Sequence, residues 1–309
     1  MKALQSYRKK YEKFKQEEVL QFTKNCNKFL RDKKMPFKNP WTGRRRLPQY
    51  KMIILCFLKE LLNLDYRGLI SYVDSNEQLK SELKLKKMPN YSTVQKFKAN
   101  LDEDYLEGLF KKFVDKEESI LAVDSSHFSD FNSDVYYRMR IGRITQHKHS
   151  IKTSVVIDTK TQYIVSVAIS RGVANDSPFF FSLLNWMESS VNVKSVAADA
   201  AYDSEKNHKF VIEKLNADSL IKIRKIRPGY HRKGRFRRKV ASLFNLKGHR
   251  KKYNMRSIVE CVFSVVKRCL SRVVKSFKSN LKRIDLMLRL LAYNIRRMTI
   301  LNTKISSSI

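Results

Sequence analysis

The chain is poor in acid. Its 309 residues carry 29 Asp and Glu against 64 Lys and Arg, a formal charge of +35. From Ser219 to the terminus the only acidic residues are Glu260 and Asp285. An excess of this size speaks to partners rather than fold. Each cation that neutralises a phosphate releases a counterion, so the expected partner is a polyanion, in preference to a surface charged for solubility alone. Cysteine is also scarce: Cys26, Cys56, Cys261 and Cys269 form no C-x-x-C pair and no zinc framework, and read as reduced core or helix cysteines of a cytosolic protein. Long apolar runs are missing. The first residues, MKALQSYRKKYEKFKQEE, lack the apolar stretch of a signal peptide, and the longest run, MIILCFL at 52–58, falls far short of the ~20 residues of a membrane span. These features lead to the expectation of a soluble, cytoplasmic protein with no membrane partner. No G-x-x-x-x-G-K-[ST] occurs, which gives no support to ATP hydrolysis, and no G-x-S-x-G or internal repeat is found.

What is present changes character near residue 119. Residues 1–118 read as a helical N-terminal DNA-binding region: YEKFKQEEVLQFTKNCNKFL has helical spacing, NPWTGRRRLP is a loop, and QYKMIILCFLKELLN is a buried helix. In MPNYSTVQKFKANL, Pro89 ends one element and Ser92 or Thr93 can cap the next, a short helix with Lys96 and Lys98 that suits either DNA reading or packing. From 119 to 275 the order is three strands, helix, strand, helix, strand: SILAVDSS, then SIKTSVVIDT and QYIVSVAISRG as a hairpin, DSPFFFSLLNWMESS, VKSVAADAAYDS, SEKNHKFVIEKL and DSLIKI. The expected fold is α/β, a mixed sheet flanked by helices. Segment 222–252 is basic and reads as loop-like, with Tyr230, Phe236, Leu243 and Phe244 interleaved, which favours contact with nucleic acid over a charged linker. Residues 276–309 form a C-terminal helix and tail.

Within this basic half, Glu260 calls for a reason. On a helical wheel of Tyr253 to Leu270 at ~100° per residue, Tyr253, Arg256, Glu260 and Lys267 fall within about 60° of one another, opposite Ile258, Val259, Val262, Val265 and Val266. An i, i+4 ion pair of Arg256 with Glu260 accounts for a few tenths of a kcal/mol, but not for the lack of other acids. Asp124 and Asp199 each end an apolar strand-like run, ILAVD and VAAD. At the rim of an α/β sheet, where ligand sites concentrate, two strand-end aspartates and a helix-borne glutamate can converge. Three mutually repelling carboxylates are reconciled by hard divalent cations, and two such ions ~4 Å apart suit a phosphodiester substrate.

The motif Y-x2-R-x3-E-x6-K, formed by Tyr253, Arg256, Glu260 and Lys267, resembles the C-terminal signature of IS4/IS5-type insertion-sequence transposases, the DDE class. AVDSSHFS is similar to that family's first-aspartate motif and AADAAYDSEKN to its second, in the order Asp, Asp, Glu, over residues 119–300. The resemblance implies an RNase H-like catalytic domain. It implies that Asp124, Asp199 and Glu260 are catalytic and hold two Mg²⁺, with Mn²⁺ able to substitute. Tyr253, Arg256 and Lys267 would contact DNA backbone, alongside Arg235, Arg237 and Arg238 of the basic segment. Water would nick DNA at the element's terminal inverted repeats, and the freed 3′-OH would attack target DNA. A homodimer in the synaptic complex and a place on a prokaryotic nucleoid follow from the same resemblance.

Other residues carry less. Asp203 is either a fourth rim acid or, more in keeping with the SEKNHKF that follows, a helix N-terminal acid. His127 has no evident counterpart. His147 and His149 alternate as on one side of a strand but have no completing zinc ligand, and Trp41 and Trp186 read as core. A catalytically inactive or domesticated DNA-binding protein and a stand-alone RNase H-like nuclease are the rival readings. Retention of all three acids disfavours the first, and the basic helical arm disfavours the second.

Overall fold

The computed structural model describes residues 17–30, 47–114, 118–130, 150–172, 177–188, 191–224, 234–243 and 246–302. In chain order the elements are α1 (17–30), α2 (Gln49–Leu62), α3 (Tyr66–Asp74), α4 (Glu77–Glu82), α5 (Tyr91–Ala99), α6 (Glu103–Phe110), β1 (Ser119–Asp130), β2 (Ser150–Asp158), β3 (Ile164–Arg171), α7 (Ser177–Leu184), β4 (Val193–Ala198), α8 (Glu205–Lys209), β5 (Asp218–Ile221), α9 (Arg235–Leu243), α10 (Lys247–Asn254), α11 (Ser257–Cys269), β6 (Val273–Val274) and α12 (Ser279–Asn302). Among the described residues no helix is long and apolar enough to cross a membrane. The chain divides into two compact units, Met1–Asp102 with Ile284–Ile309, and Glu103–Arg283.

The first unit is helical. Met52 to Leu58 of α2 are all buried, as expected of a helix that is apolar on every side. Short polar side chains start its neighbours: Asp65 accepts from the Gly68 N–H, Asn76 from Leu79, and Asn90 from Ser92. The cap of α5 is therefore Asn90, two residues ahead of Ser92 and three ahead of Thr93, the caps expected from the sequence. Lys98 of α5 does not face solvent. It is buried and pairs with Asp285, while Arg289 Nε donates to Glu60 Oε2 at 3.0 Å and Lys59 Nζ to Glu60 Oε1 at 3.0 Å. Burial alone would raise the Glu60 pKa. The Lys59 and Arg289 charges outweigh it and hold the carboxyl below its usual value.

The second unit is built on one mixed sheet in the order β3-β2-β1-β4-β5, with β6 pairing the far end of β1. β1, β2 and β3 are antiparallel, and β1, β4 and β5 are parallel. This is the RNase H-like order of strands with helices on the crossovers. Asp158 closes the β2–β3 hairpin by accepting from the Lys160 and Thr161 N–H groups at 2.7 and 3.0 Å. One face of the sheet is covered by α7 and the helix that begins at Glu205, with Leu121, Val123, Val156, Val196, Ala198, Phe180 and Val211 in the core. That second helix widens into a π-helical turn over Phe210–Lys214.

Two expectations change here. β1 does not stop at Asp124 but runs on to Asp130, so Asp124 lies mid-strand. The basic segment is not all loop: α9 and most of α10 lie in it as helix, while 225–233 and 244–245, with Tyr230 and Phe244, lie outside the described residues. Helical propensity of the Arg, Lys and Leu residues there prevails over the loop reading that charge density suggests.

Candidate active site

Alternation along β1 decides which side chains meet. Leu121 and Val123 enter the core beneath α7, so Asp124, Ser126 and Phe128 take the opposite face. β4 runs parallel to β1 with Val123 opposite Ala198, and β4 ends there. Asp124 and Asp199 are the next residues of the two neighbouring strands, on the same face by the same alternation. Loss of the β4 partner leaves that edge of β1 open until β6 pairs Ser129 and Asp130. The rim expected from the sequence thus exists, made by the end of β4 rather than by the end of β1.

α11 packs across the open stretch of β1. Its apolar side, Val259, Val262, Phe263 and Val266, is buried, and the Phe263 ring meets Phe128 edge-on with centroids 6.5 Å apart. With that side on β1, the flanking Arg256, just ahead of α11, and Lys267 within it reach the strand, while Glu260 stays exposed. Arg256 Nη1 donates to Asp124 Oδ2 at 2.9 Å and Arg256 Nη2 to Glu260 Oε1 at 2.8 Å. One turn beyond the middle of the helix, Lys267 Nζ donates to Ser126 Oγ at 2.7 Å and stands 5.3 Å from the Phe128 ring centroid. Burial and the nearby Arg272 charge lower the Lys267 pKa.

The three carboxylates are unlike one another. Asp124 is 18% exposed and Glu260 60% exposed. Burial raises the Asp124 pKa, against the Ser125 N–H and Arg256, and the carboxylates of Asp199 and Glu260 push it further in the same direction. Asp199 Oδ1 accepts from the Ala201 N–H at 2.6 Å and so caps the 3₁₀ turn Ala200–Tyr202. Among the described residues no three His, Cys, Asp or Glu side chains are gathered at ion-binding distance. The guanidinium of Arg256 lies between Asp124 and Glu260 and already joins them as a cation. Carboxylate oxygens are the kind of donor a hard divalent ion takes, and those of Asp124 and Glu260 already share one positive partner.

The remaining expectations divide. Tyr253 is half-buried on α10, not on α11: the chain turns at Met255–Arg256, so the single wheel from Tyr253 onward spans two helices. On α9, Arg235 and Arg238 are exposed. Arg237 is instead committed within the protein, with Nε and Nη2 donating to the two Asp203 oxygens at 2.8 and 2.6 Å. Asp203 is not the helix cap either. Ser204 Oγ fills that role for Asn207, and the Asp203 side chain is fully buried. His127 is exposed on β1 and Trp186 is half-buried against the core. Trp41, His147 and His149 lie outside the described residues. His208 and Arg224, both partners of Asp203, carry no pattern in the sequence. The one available signal was the second acid, four residues after Asp199.

The family model for the transposase DDE domain matches residues 115–295. The chain belongs to that family. Asp124, Asp199 and Glu260 all fall inside the matched span, in the order of the three letters. No curated protein matches. Among solved structures, this transposase is similar to the cryo-EM structure of a piggyBac transposase synaptic complex with hairpin DNA, at 10% identity and a TM-score of 0.47, over 94% of this chain and 77% of that one.

Proposed function

We propose that this transposase cleaves the terminal inverted repeats of an insertion sequence and joins the freed 3′ ends to target DNA, with Asp124, Asp199 and Glu260 as its catalytic carboxylates. The observation that carries the reading is the bridge from Asp124 through Arg256 to Glu260, beside the Asp199 turn. It supports a common site for residues far apart in sequence. These carboxylates would hold two Mg²⁺, or Mn²⁺ in their place, which when bound supply a lowered pKa for the attacking oxygen and positive charge for the phosphate.

The chain's own side chains do the rest. Arg256 and Lys267 sit on the face of α11 that meets β1, where a phosphodiester would lie, and with Tyr253 they hold its backbone oxygens. A water oxygen attacks phosphorus in line, and the bond to the 3′ oxygen breaks to leave a 3′-OH. That hydroxyl then attacks a target phosphodiester, so one P–O bond forms as another breaks. Arg235 and Arg238 hold flanking DNA, and the helical N-terminal region adds a second contact. A homodimer pairs the two element ends, in the prokaryotic cytoplasm on the nucleoid.

Glu260→Gln tests this reading. It keeps volume and helix, so the variant folds and binds element ends as tightly as the parent or slightly better, while divalent-ion-dependent end cleavage is lost. Cleavage retained by the variant, with a stability change of at most ~1 kcal/mol, returns Glu260 to the role of ion-pair partner of Arg256.

A further inference from the structure

Asp203 lies four residues beyond Asp199, and its buried carboxylate is the meeting point of several elements. Arg237 of α9 grips it with two hydrogen bonds, at 2.8 and 2.6 Å. The Arg224 backbone N–H donates to Oδ2 at 2.9 Å. His208 of α8, itself fully buried, lies with Nε2 at 3.1 Å from Oδ1 and Nδ1 at 2.8 Å from Ser219 Oγ of β5. A carboxylate only accepts, so Nε2 carries the proton.

The same residues brace the turn that presents Asp199. The Arg224 guanidinium donates to the Ala200 carbonyl at 2.6 Å and to the Ala201 carbonyl at 3.0 Å. Asn207 Nδ2 donates to the Tyr202 carbonyl at 2.8 Å. The three carbonyls of the 3₁₀ turn are therefore held from outside it. On the other side, Glu205 accepts from the Phe236 and Arg237 N–H groups at 2.9 and 3.0 Å, capping α9. Gly234 permits that approach: its φ is +102°, and a Cβ there would stand 2.0 Å from Glu205 Oε2.

We propose that Asp203 is a positioning residue that locks the Asp199 turn and the basic helix α9 into one body, so that Asp199 is held at the site in register with the DNA carried by Arg235 and Arg238. This rests on the reading of Asp199 as a metal-holding carboxylate. A rim acid would need an accessible carboxylate, and that of Asp203 is fully enclosed. A helix cap would need to bond the first turn of α8, and Ser204 does that. What remains is a brace, and removing a group that orients a metal-holding side chain commonly costs 10–100-fold in metal affinity.

The test uses the full-length protein with Mn²⁺ as probe. Mn²⁺ binding is followed by electron paramagnetic resonance, hydrogen exchange of the 196–204 segment is measured without metal, and duplex binding is measured separately. Asp203→Asn, which sets an amide N–H₂ against the donors of Arg237, is expected to weaken Mn²⁺ binding by about tenfold and to raise exchange at Ala201 and Asp203. Duplex affinity should stay within about twofold, since Arg235 and Arg238 remain. Combining Asp203→Asn with Arg237→Gln restores an amide pair and should recover part of the Mn²⁺ affinity, which a purely structural loss would not do. Should Asp203→Asn fail to fold, the exposed Arg224→Gln removes the hold on Ala200 and Ala201 and is expected to act in the same direction. Unchanged Mn²⁺ affinity and local exchange in the variants that fold overturn the proposal. If Asp199→Asn likewise leaves Mn²⁺ binding intact, it is the metal-site reading that falls.

Discussion

On the proposed reading, Arg256 is one residue that serves two states of a site. In the chain alone it offsets the repulsion between Asp124 and Glu260 with hydrogen bonds of 2.9 and 2.8 Å. With DNA present, the same guanidinium is suited to a phosphate oxygen. Asp203 is the opposite case, an acid with one fixed task. Burial would raise its pKa, but the hydrogen bonds of His208, Arg237 and the Arg224 N–H prevail and hold the carboxyl well below the usual carboxylate range, with the Arg237 charge adding to them. Glu205 is the other acid beside Arg237. The sign follows from linkage. A depressed folded-state pKa contributes stability in full above the unfolded value, near pH 4, and that stability is lost as pH falls toward the folded value. The stability gap between the parent and Asp203→Asn, measured by urea melts, should be widest near neutrality and shrink between about pH 5 and about pH 2. A gap independent of pH would mean that the carboxylate charge contributes nothing to the clamp.

At the level of elements, buried ion pairs in the helical unit mark where sequence reading stops. Asp285 of α12 pairs with Lys98 of α5, both nearly out of solvent. Asp285→Ala leaves Lys98 a buried cation without this partner and should cost about 3–5 kcal/mol by chemical denaturation. Adding Lys98→Met should recover most of that loss, and a small single-mutant effect would place the pair in a hydrated environment. Neither residue advertised the other, since they are 187 positions apart, and Lys98 on a short basic helix suited DNA reading equally well. The strands were legible for the converse reason. Val, Ile and Ala runs such as SVVID and VKSVAA alternate or run apolar between turn residues, and that local pattern is what pairing requires. Membership of the transposase DDE family was legible in three short stretches, AVDSSHFS, AADAAYDSEKN and the helix around Glu260, because acids are rare in the C-terminal half and two of them follow apolar runs. The length of β1 was not: its polar stretch Ser125–Ser129 is held as strand by β2 and β6, which are distant in sequence. The break between α10 and α11 is likewise invisible, because MRS at 255–257 carries neither Gly nor Pro.

Over the whole molecule, a net charge of +35 makes DNA binding a matter of counterion release. The structure sorts the basic side chains by whether the protein has already used them. On α9, Arg235 and Arg238 are exposed, while Arg237 is held by Asp203. A cation already neutralised in the free protein has no counterion to give up, so sequence neighbours should differ in solution. Duplex affinity measured against salt should lose about 0.9 from its logarithmic slope for Arg235→Ala and about the same for Arg238→Ala, each standing for one phosphate contact. Arg237→Ala should leave the slope unchanged and instead lower the melting temperature, because Asp203 then loses a two-point partner in a buried site. The two readouts separate the roles within about one turn of one helix. A slope change for Arg237→Ala equal to that of its neighbours would mean that Asp203 releases Arg237 to DNA on binding. Unchanged slopes for Arg235→Ala and Arg238→Ala would place α9 away from the duplex altogether.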